Sequence, residues 1–181
     1  MKEICKDIFE WIEENRKDNI IILVHCISAD FALGAGIAKA VNIKFGEKES
    51  LKRAYPIRPT WDGHGFGLIT GHPTIEEVSV HVHVCNLVTK EFYWEKPTYT
   101  TLQESLDYVK NLIFCLASRA KQNNFGFKIV MPKIGCGLDK LDWTKVREMV
   151  LSWAGTDFDV TVCHLNNVKE GCKEFCNGTD I

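Results

Sequence analysis

Six residues in a row, Ile20-Ile21-Ile22-Leu23-Val24-His25, limit the fold of this chain more than any other feature. A short apolar run rich in β-branched side chains reads as a strand. Because it is apolar at consecutive positions, both of its faces must be covered. That predicts a largely parallel sheet with helices on either side.

The flanking signals alternate in the way such layering requires. Met1–Cys5 reads as a short first strand, and Ile8, Phe9 and Ile12 line one face of a helix ending near Arg16. Ile37–Phe45 reads as a helix stopped by Gly46. Val78–Thr89 reads as one long strand. Tyr99–Ala120 is the longest predicted helix, with Leu102, Leu106, Val109, Ile113 and Leu116 at helical spacing and Thr101-x-x-Glu104 as its capping box. Phe127–Met131 and Val160–Leu165 read as strands, with a helix at Trp143–Ala154 between them, capped by Asp142 and followed by Gly155. Leu51–Thr74 is a connection rich in proline and glycine, with a short strand expected at Phe66–Thr70. Residues 166–181 read as a polar tail, leaving one domain over residues 1–165.

The formal net charge of −2 argues against a general polyanion binder, which would carry a basic surplus. No stretch is apolar for long enough to span a membrane. Lys2, Glu3, Lys6, Asp7 and Glu10 break the start of the chain, so Met1 to Trp11 does not read as a secretory signal. The eight cysteines are irregularly spaced and mostly lie in or beside apolar runs, where free thiols pack as small hydrophobes. A reducing, intracellular compartment is therefore expected, cytoplasmic or nuclear.

Three segments place polar or flexible residues just after an apolar strand, where ligands collect in open α/β sheets. The first, His25-Cys26-Ile27-Ser28, runs into Gly34-Ala35-Gly36-Ile37-Ala38. Its glycines allow close backbone approach, and the helix that follows offers free N–H groups to a phosphate. Lys39 stands where a Rossmann loop would need its third glycine, and no Gly-Lys-Ser/Thr of a P-loop is present. The second, Met131-Pro132-Lys133-Ile134-Gly135-Cys136-Gly137-Leu138-Asp139, repeats the design. Two such loops can grip a diphosphate through main-chain donors. The third ends in Val88-Thr89-Lys90. On spacing alone Lys90 reads as a lysine that snorkels to solvent, and Asp139 as a turn or capping aspartate. A desolvated, nucleophilic lysine is the alternative.

Taken together, the two glycine loops and the lysine resemble the macrodomain family, over a stretch from about Lys6 to Leu165. Within it, Val88-Thr89-Lys90, Lys96-Pro97-Thr98-Tyr99 and Leu141-Asp142-Trp143 are similar to the terminal ADP-ribose protein glycohydrolases, also described as O-acetyl-ADP-ribose deacetylases. The resemblance implies a three-layer α/β/α sandwich around a mixed, mostly parallel sheet. It implies that Asp7 and Ile8 meet the adenine end of ADP-ribose. Gly34, Ala35, Gly36 and Ile37 would line the distal ribose and diphosphate. Ile134, Gly135, Cys136, Gly137 and Leu138 would complete the phosphate cradle, with Ser28 near the distal ribose. Lys90 and Asp139 match the catalytic pair of a metal-free, cofactor-free hydrolase acting on ADP-ribose esters of glutamate or aspartate, or on O-acetyl-ADP-ribose. A monomer acting on mono-ADP-ribosylated proteins is expected, with no membrane partner. Lys6 departs from the family pattern, which usually has glycine there.

Three other readings stay open at this level. A pure ADP-ribose reader would share the glycine loops but has no need of the Lys90–Asp139 pair. A hydrolase of ADP-ribosylated nucleic acid fits the same loops, though the acidic balance weighs against it. His81, His83 and Cys85 place three possible zinc ligands on one strand face, but no fourth ligand with recognisable spacing accompanies them, and polar positions on a partly exposed face explain them more cheaply. Trp61, Phe92, Tyr93 and Trp94 are candidate covers for the cleft or simple packing aromatics.

Overall fold

A computed structural model describes residues 1–55 and 70–165. In chain order the elements are β1 (Lys2–Cys5), α1 (Ile8–Asn15), β2 (Asn19–Ser28), α2 (Gly36–Phe45), α3 (Glu47–Ala54), β3 (Thr74–Ser79), β4 (Val82–Lys90), α4 (Tyr99–Gln122), β5 (Gly126–Met131), α5 (Trp143–Ala154) and β6 (Val160–His164). They form one six-stranded sheet in the order β1-β6-β5-β2-β4-β3. Every neighbouring pair is parallel except β3 with β4.

The order explains the layering. The chain steps from β1 through β2 to the far edge at β3, turns back through β4, and fills the remaining positions with β5 and β6. Crossovers between parallel strands keep one hand, so reversing direction moves the helices to the other face. On one face α1 contributes Ile8, Trp11 and Ile12 and α2 contributes Val41, packed on Ile21, Leu23, Val82 and Val84. On the other, Leu102, Leu106 and Val109 of α4 and Val146 and Val150 of α5 cover Ile22, Val24, Cys85 and Leu87. Successive residues of β2 thus feed opposite cores, as the Ile20–His25 run predicts. Each fully buried Ile or Leu side chain there stabilises the fold by about 1.5–3 kcal/mol.

Three expectations change. Val78–Thr89 is a hairpin, not one strand: Val80 and His81 turn between β3 and β4, with His81 at φ 65°. Apolar alternation continues across that turn without glycine or proline, which hides it. The Leu51–Thr74 connection begins as helix, because α3 extends to Ala54. Leu51, fully buried, is its apolar anchor, so α3 shows no hydrophobic period; acidic Glu47 and Glu49 open it and basic Lys52 and Arg53 close it, matching the helix dipole. The cap of α4 is Thr98, boxed with Thr101, in place of Thr101 with Glu104. Trp61, the tail 166–181 and all of the Phe66–Thr70 strand but Thr70 lie outside the described residues.

Candidate active site

Five parallel strands end along one edge of the sheet, at Cys5, His164, Met131, Ser28 and Lys90. Between them β2 sits beside both β4 and β5, although its following helix covers the opposite face from theirs. A crevice opens at such a switch point.

The first glycine loop is tied down before it reaches its glycines. Asp30 Oδ1 accepts from Ser28 Oγ at 2.5 Å and from the Ala32 N–H at 3.1 Å, and its Oδ2 accepts from the Tyr93 N–H at 3.1 Å. Ala29 and Asp30 donate their N–H groups to the carbonyls of Lys90 and Glu91. Phe31 and Leu33 hold left-handed φ values of 53° and 40°, strain that burial of both side chains offsets. Beyond them Gly34, Ala35 and Gly36 are exposed. Asp7, Thr98 and Asp142 cap α1, α4 and α5 with side chains, whereas Ala35 cannot cap α2. The first N–H groups of α2 are thus open to an anion.

The second loop folds on itself. Cys136 N–H donates to the Lys133 carbonyl, Lys140 N–H to that of Gly137 and Leu141 N–H to that of Gly135. Gly135 holds a left-handed φ of 69°, and a Cβ there would lie 2.8 Å from Leu141 Cδ1, so the tip of that leucine would have to shift. Leu138, 63% exposed, reaches back over the crevice, and its Cδ1 lies 3.6 Å from the place of a Cβ on Gly36. The two glycine loops therefore approach each other at Gly36 and Leu138.

Where the second loop ends, Lys90 Nζ donates directly to Asp139 Oδ1, with side chains only 12% and 15% exposed. Ser28 pairs with Lys90 in the β2–β4 ladder, so all three converge. Exclusion of water strengthens the pairing. Lys96 Nζ donates to the Leu138 carbonyl at 2.7 Å and braces the second loop from the other side. The nearby thiols are inert fillers. Burial, helped by the Asp139 charge, pushes Cys26 up to about 12, and burial, helped by Asp142, pushes Cys136 up to about 11.

Asp7 sits at the opposite end of the same edge. Its Oδ1 caps α1 by accepting from the N–H groups of Phe9 at 2.8 Å and Glu10 at 3.1 Å. Four strand steps separate the ends of β1 and β4, about 19 Å at ordinary spacing. The side chains of Ile8 and Ile134, 6% and 2% exposed, pack into the two main cores, so any ligand role of theirs is a main-chain one. Sequence reasoning passed over Asp30, whose bond to Ala32 N–H is the Asx turn its type favours.

Two further features border the site. His25, Asn86 and Thr74 stand side by side across β2, β4 and β3, roofed by Glu47 of α3. Asn86 Nδ2 donates to Glu47 Oε1 at 2.6 Å and to Thr74 Oγ1 at 3.2 Å. Burial pushes His25 down to about 4; Asn86 offsets part of this, although neither ring nitrogen reaches full hydrogen-bonding geometry. His81 leaves the metal reading without its third ligand: it lies in the turn, its Nδ1 3.3 Å from the Arg16 carbonyl and its ring against Phe125. Among the described residues no three His, Cys, Asp or Glu side chains are placed to hold a metal. No described helix is long and apolar enough to cross a membrane.

No protein-family model matches the chain. The human ADP-ribose glycohydrolase OARD1 is 33% identical over 145 residues, which cover 77% of this chain and 79% of that protein. Its counterpart from Bos taurus is 32% identical over the same shares. Among solved structures, the macrodomain of Mycobacterium tuberculosis DarG superposes with a TM-score of 0.63 at 17% identity, covering 90% of this chain and 95% of that one. Thermosipho africanus DarTG, solved in complex with ADP-ribose, superposes with a TM-score of 0.57 at 16% identity, covering 83% of this chain and 39% of that one.

Proposed function

This chain belongs to the macrodomain family, related to ADP-ribose glycohydrolase OARD1, and on that premise we propose that it binds ADP-ribose along the sheet edge and hydrolyses its esters. In this reading the domain occupies residues 1–165 and acts as a monomer. Asp7 accepts from the adenine amino group. The amides of Gly34, Ala35, Gly36 and Ile37 and those of Gly135, Cys136, Gly137 and Leu138 hold the diphosphate between them, a grip that needs no basic surplus. Ser28 lies beside the distal ribose.

Lys90 gives up its proton to Asp139 and attacks the anomeric carbon of the distal ribose. The bond to the acceptor carboxylate breaks and that carboxylate departs. The ring opens toward an imine, which water hydrolyses to free ADP-ribose and the lysine, with Asp139 moving the protons. Esters on glutamate or aspartate side chains suit this route because a carboxylate leaves readily, and O-acetyl-ADP-ribose suits it when its acetyl group is on the anomeric oxygen.

The observation that carries the reading is the Lys90–Asp139 pair, nearly closed to water, where the second glycine loop ends. A buried ion pair adds little net stability, and a pure reader gains nothing from one there. Lys90→Ala should lower release of ADP-ribose from a glutamate-modified protein by about 10³-fold or more while leaving ADP-ribose binding measurable by calorimetry. Undiminished turnover in the variant would remove Lys90 from the chemistry.

A further inference from the structure

Tyr93 and Trp94 are 63% and 61% exposed, and they stand three and four residues beyond Lys90. Their position is fixed from both sides of the cleft. Asp30 Oδ2 accepts from the Tyr93 N–H and so ties the segment to the first glycine loop. Glu95 Oε2 accepts from the N–H groups of Glu91 and Phe92, each at 3.0 Å, and Lys96 joins the segment to the second loop at the Leu138 carbonyl. The rings are ordered against one another: Phe92 stacks on Trp94 at 4.5 Å and 8°, and Tyr93 meets Trp94 edge-on at 4.9 Å. A rigid pair of exposed aromatic rings costs little entropy to bury against a partner.

The charges around these rings are unbalanced. Lys90 is neutralised by Asp139. Among the described residues, that leaves the carboxylates of Asp30, Glu91 and Glu95 against two ammonium groups held by neutral carbonyls, Lys96 at Leu138 and Lys48 at Ala32. A cavity of about 420 Å³ runs from Lys90 along Glu91, Glu95, Lys96 and Thr98. Lys90 lines this cavity, so Glu91 and Glu95 border the reacting group of the proposed hydrolysis.

We infer that Tyr93, Trp94 and Glu91 form a subsite for the polypeptide that carries the ADP-ribosyl group, selecting segments with a lysine or arginine beside the modified carboxylate. This rests on the reading of Lys90 as the reacting group. An open aromatic face attracts a cation, and the local carboxylates reinforce it. The same carboxylates repel a phosphodiester backbone, which sets a polypeptide above a nucleic acid. Tyr93 and Trp94 are thus specificity-determining residues, and O-acetyl-ADP-ribose, with only an acetyl group to place there, does not use them.

The test compares free ADP-ribose with two peptides carrying ADP-ribose on a glutamine amide, a stable mimic of the glutamate ester, one flanked by lysines and one by glutamates. The wild-type protein should bind the lysine-flanked peptide about tenfold tighter than ADP-ribose. Trp94→Ala and Glu91→Lys should each remove most of that gain and leave the affinity for ADP-ribose within twofold. Turnover of O-acetyl-ADP-ribose should stay within twofold in both variants. Equal affinity for both peptides, or equal loss for peptide and free ADP-ribose, overturns the subsite alone. A gain instead for an ADP-ribosylated single-stranded oligonucleotide, lost in Trp94→Ala, also overturns it. Normal binding of both peptides without any ester turnover overturns the hydrolase reading and leaves the subsite standing. Failure to bind ADP-ribose at all overturns both.

Discussion

Replacing Gly135 by alanine acts on the second glycine loop in two ways that can be separated. Its φ of 69° is left-handed, which works against an alanine by roughly 1–2 kcal/mol. Its new Cβ would also stand 2.8 Å from Leu141 Cδ1, so that side chain must move within a packed core edge. Leu141 is only partly buried and the contact is with its flexible end, so moving it off its rotamer adds about 1 kcal/mol. Gly36→Ala supplies the control, since Gly36 has a similar φ of 55° but its Cβ would meet Leu138 Cδ1 at an ordinary 3.6 Å. Urea denaturation should therefore place Gly36→Ala about 1–2 kcal/mol below wild type and Gly135→Ala about 2–3 kcal/mol below. For a chain of this size the thermal midpoints should fall by about 5 and 8 °C. In the double variant Gly135→Ala/Leu141→Ala the losses should add to less than their sum, because the truncated leucine no longer crowds the alanine. Equal losses for Gly36→Ala and Gly135→Ala, or strict additivity in the double variant, would show that Gly135 is not crowded.

Two further outcomes follow from neighbouring groups. Asp30→Asn keeps an acceptor for Ser28 and Ala32 but presents an amide to the Tyr93 N–H, so unfolding should become about 1–2 kcal/mol easier and the ADP-ribose affinity should fall; unchanged urea midpoints would sink that role. His25 is held at about 4 in the fold against its ordinary 6.5, so the unfolded chain binds the extra proton between those values. Its contribution is full above pH 6.5 and is lost as pH falls toward 4, at most about 3 kcal/mol. Glu47, raised by burial, runs the other way, its contribution being full below pH 4.5 and lost as pH rises. His25→Gln should flatten the acid side of the stability curve, and an identical slope in the variant would contradict this.

The layering was legible in residues 20–25, because consecutive apolar positions admit only a strand covered on both sides. The helix cap at Asp142 was legible for a similar local reason: a short carboxylate before an apolar period satisfies free N–H groups. The hairpin turn at Val80–His81 was not, since its left-handed residue is a histidine that packing on Phe125 supports. Nor was α3, whose single buried apolar side chain leaves no period to read. At the site, spacing pointed to two glycine loops but left Lys90 and Asp139 as surface residues; they meet across 49 positions of sequence, and only the family resemblance joined them beforehand. Asp30 went unnoticed because its partner Tyr93 is 63 positions away.

The proposed grip on the diphosphate can be tested by titrating ¹⁵N-labelled protein with ADP-ribose and following backbone amide signals. The amides of Gly34, Ala35, Gly36 and Ile37 and those of Gly135, Cys136, Gly137 and Leu138 should shift together along one saturation curve. Movement in only one of the two loops, or shifts confined to the separate cavity beside Tyr108 and Cys115, would contradict a diphosphate held between them.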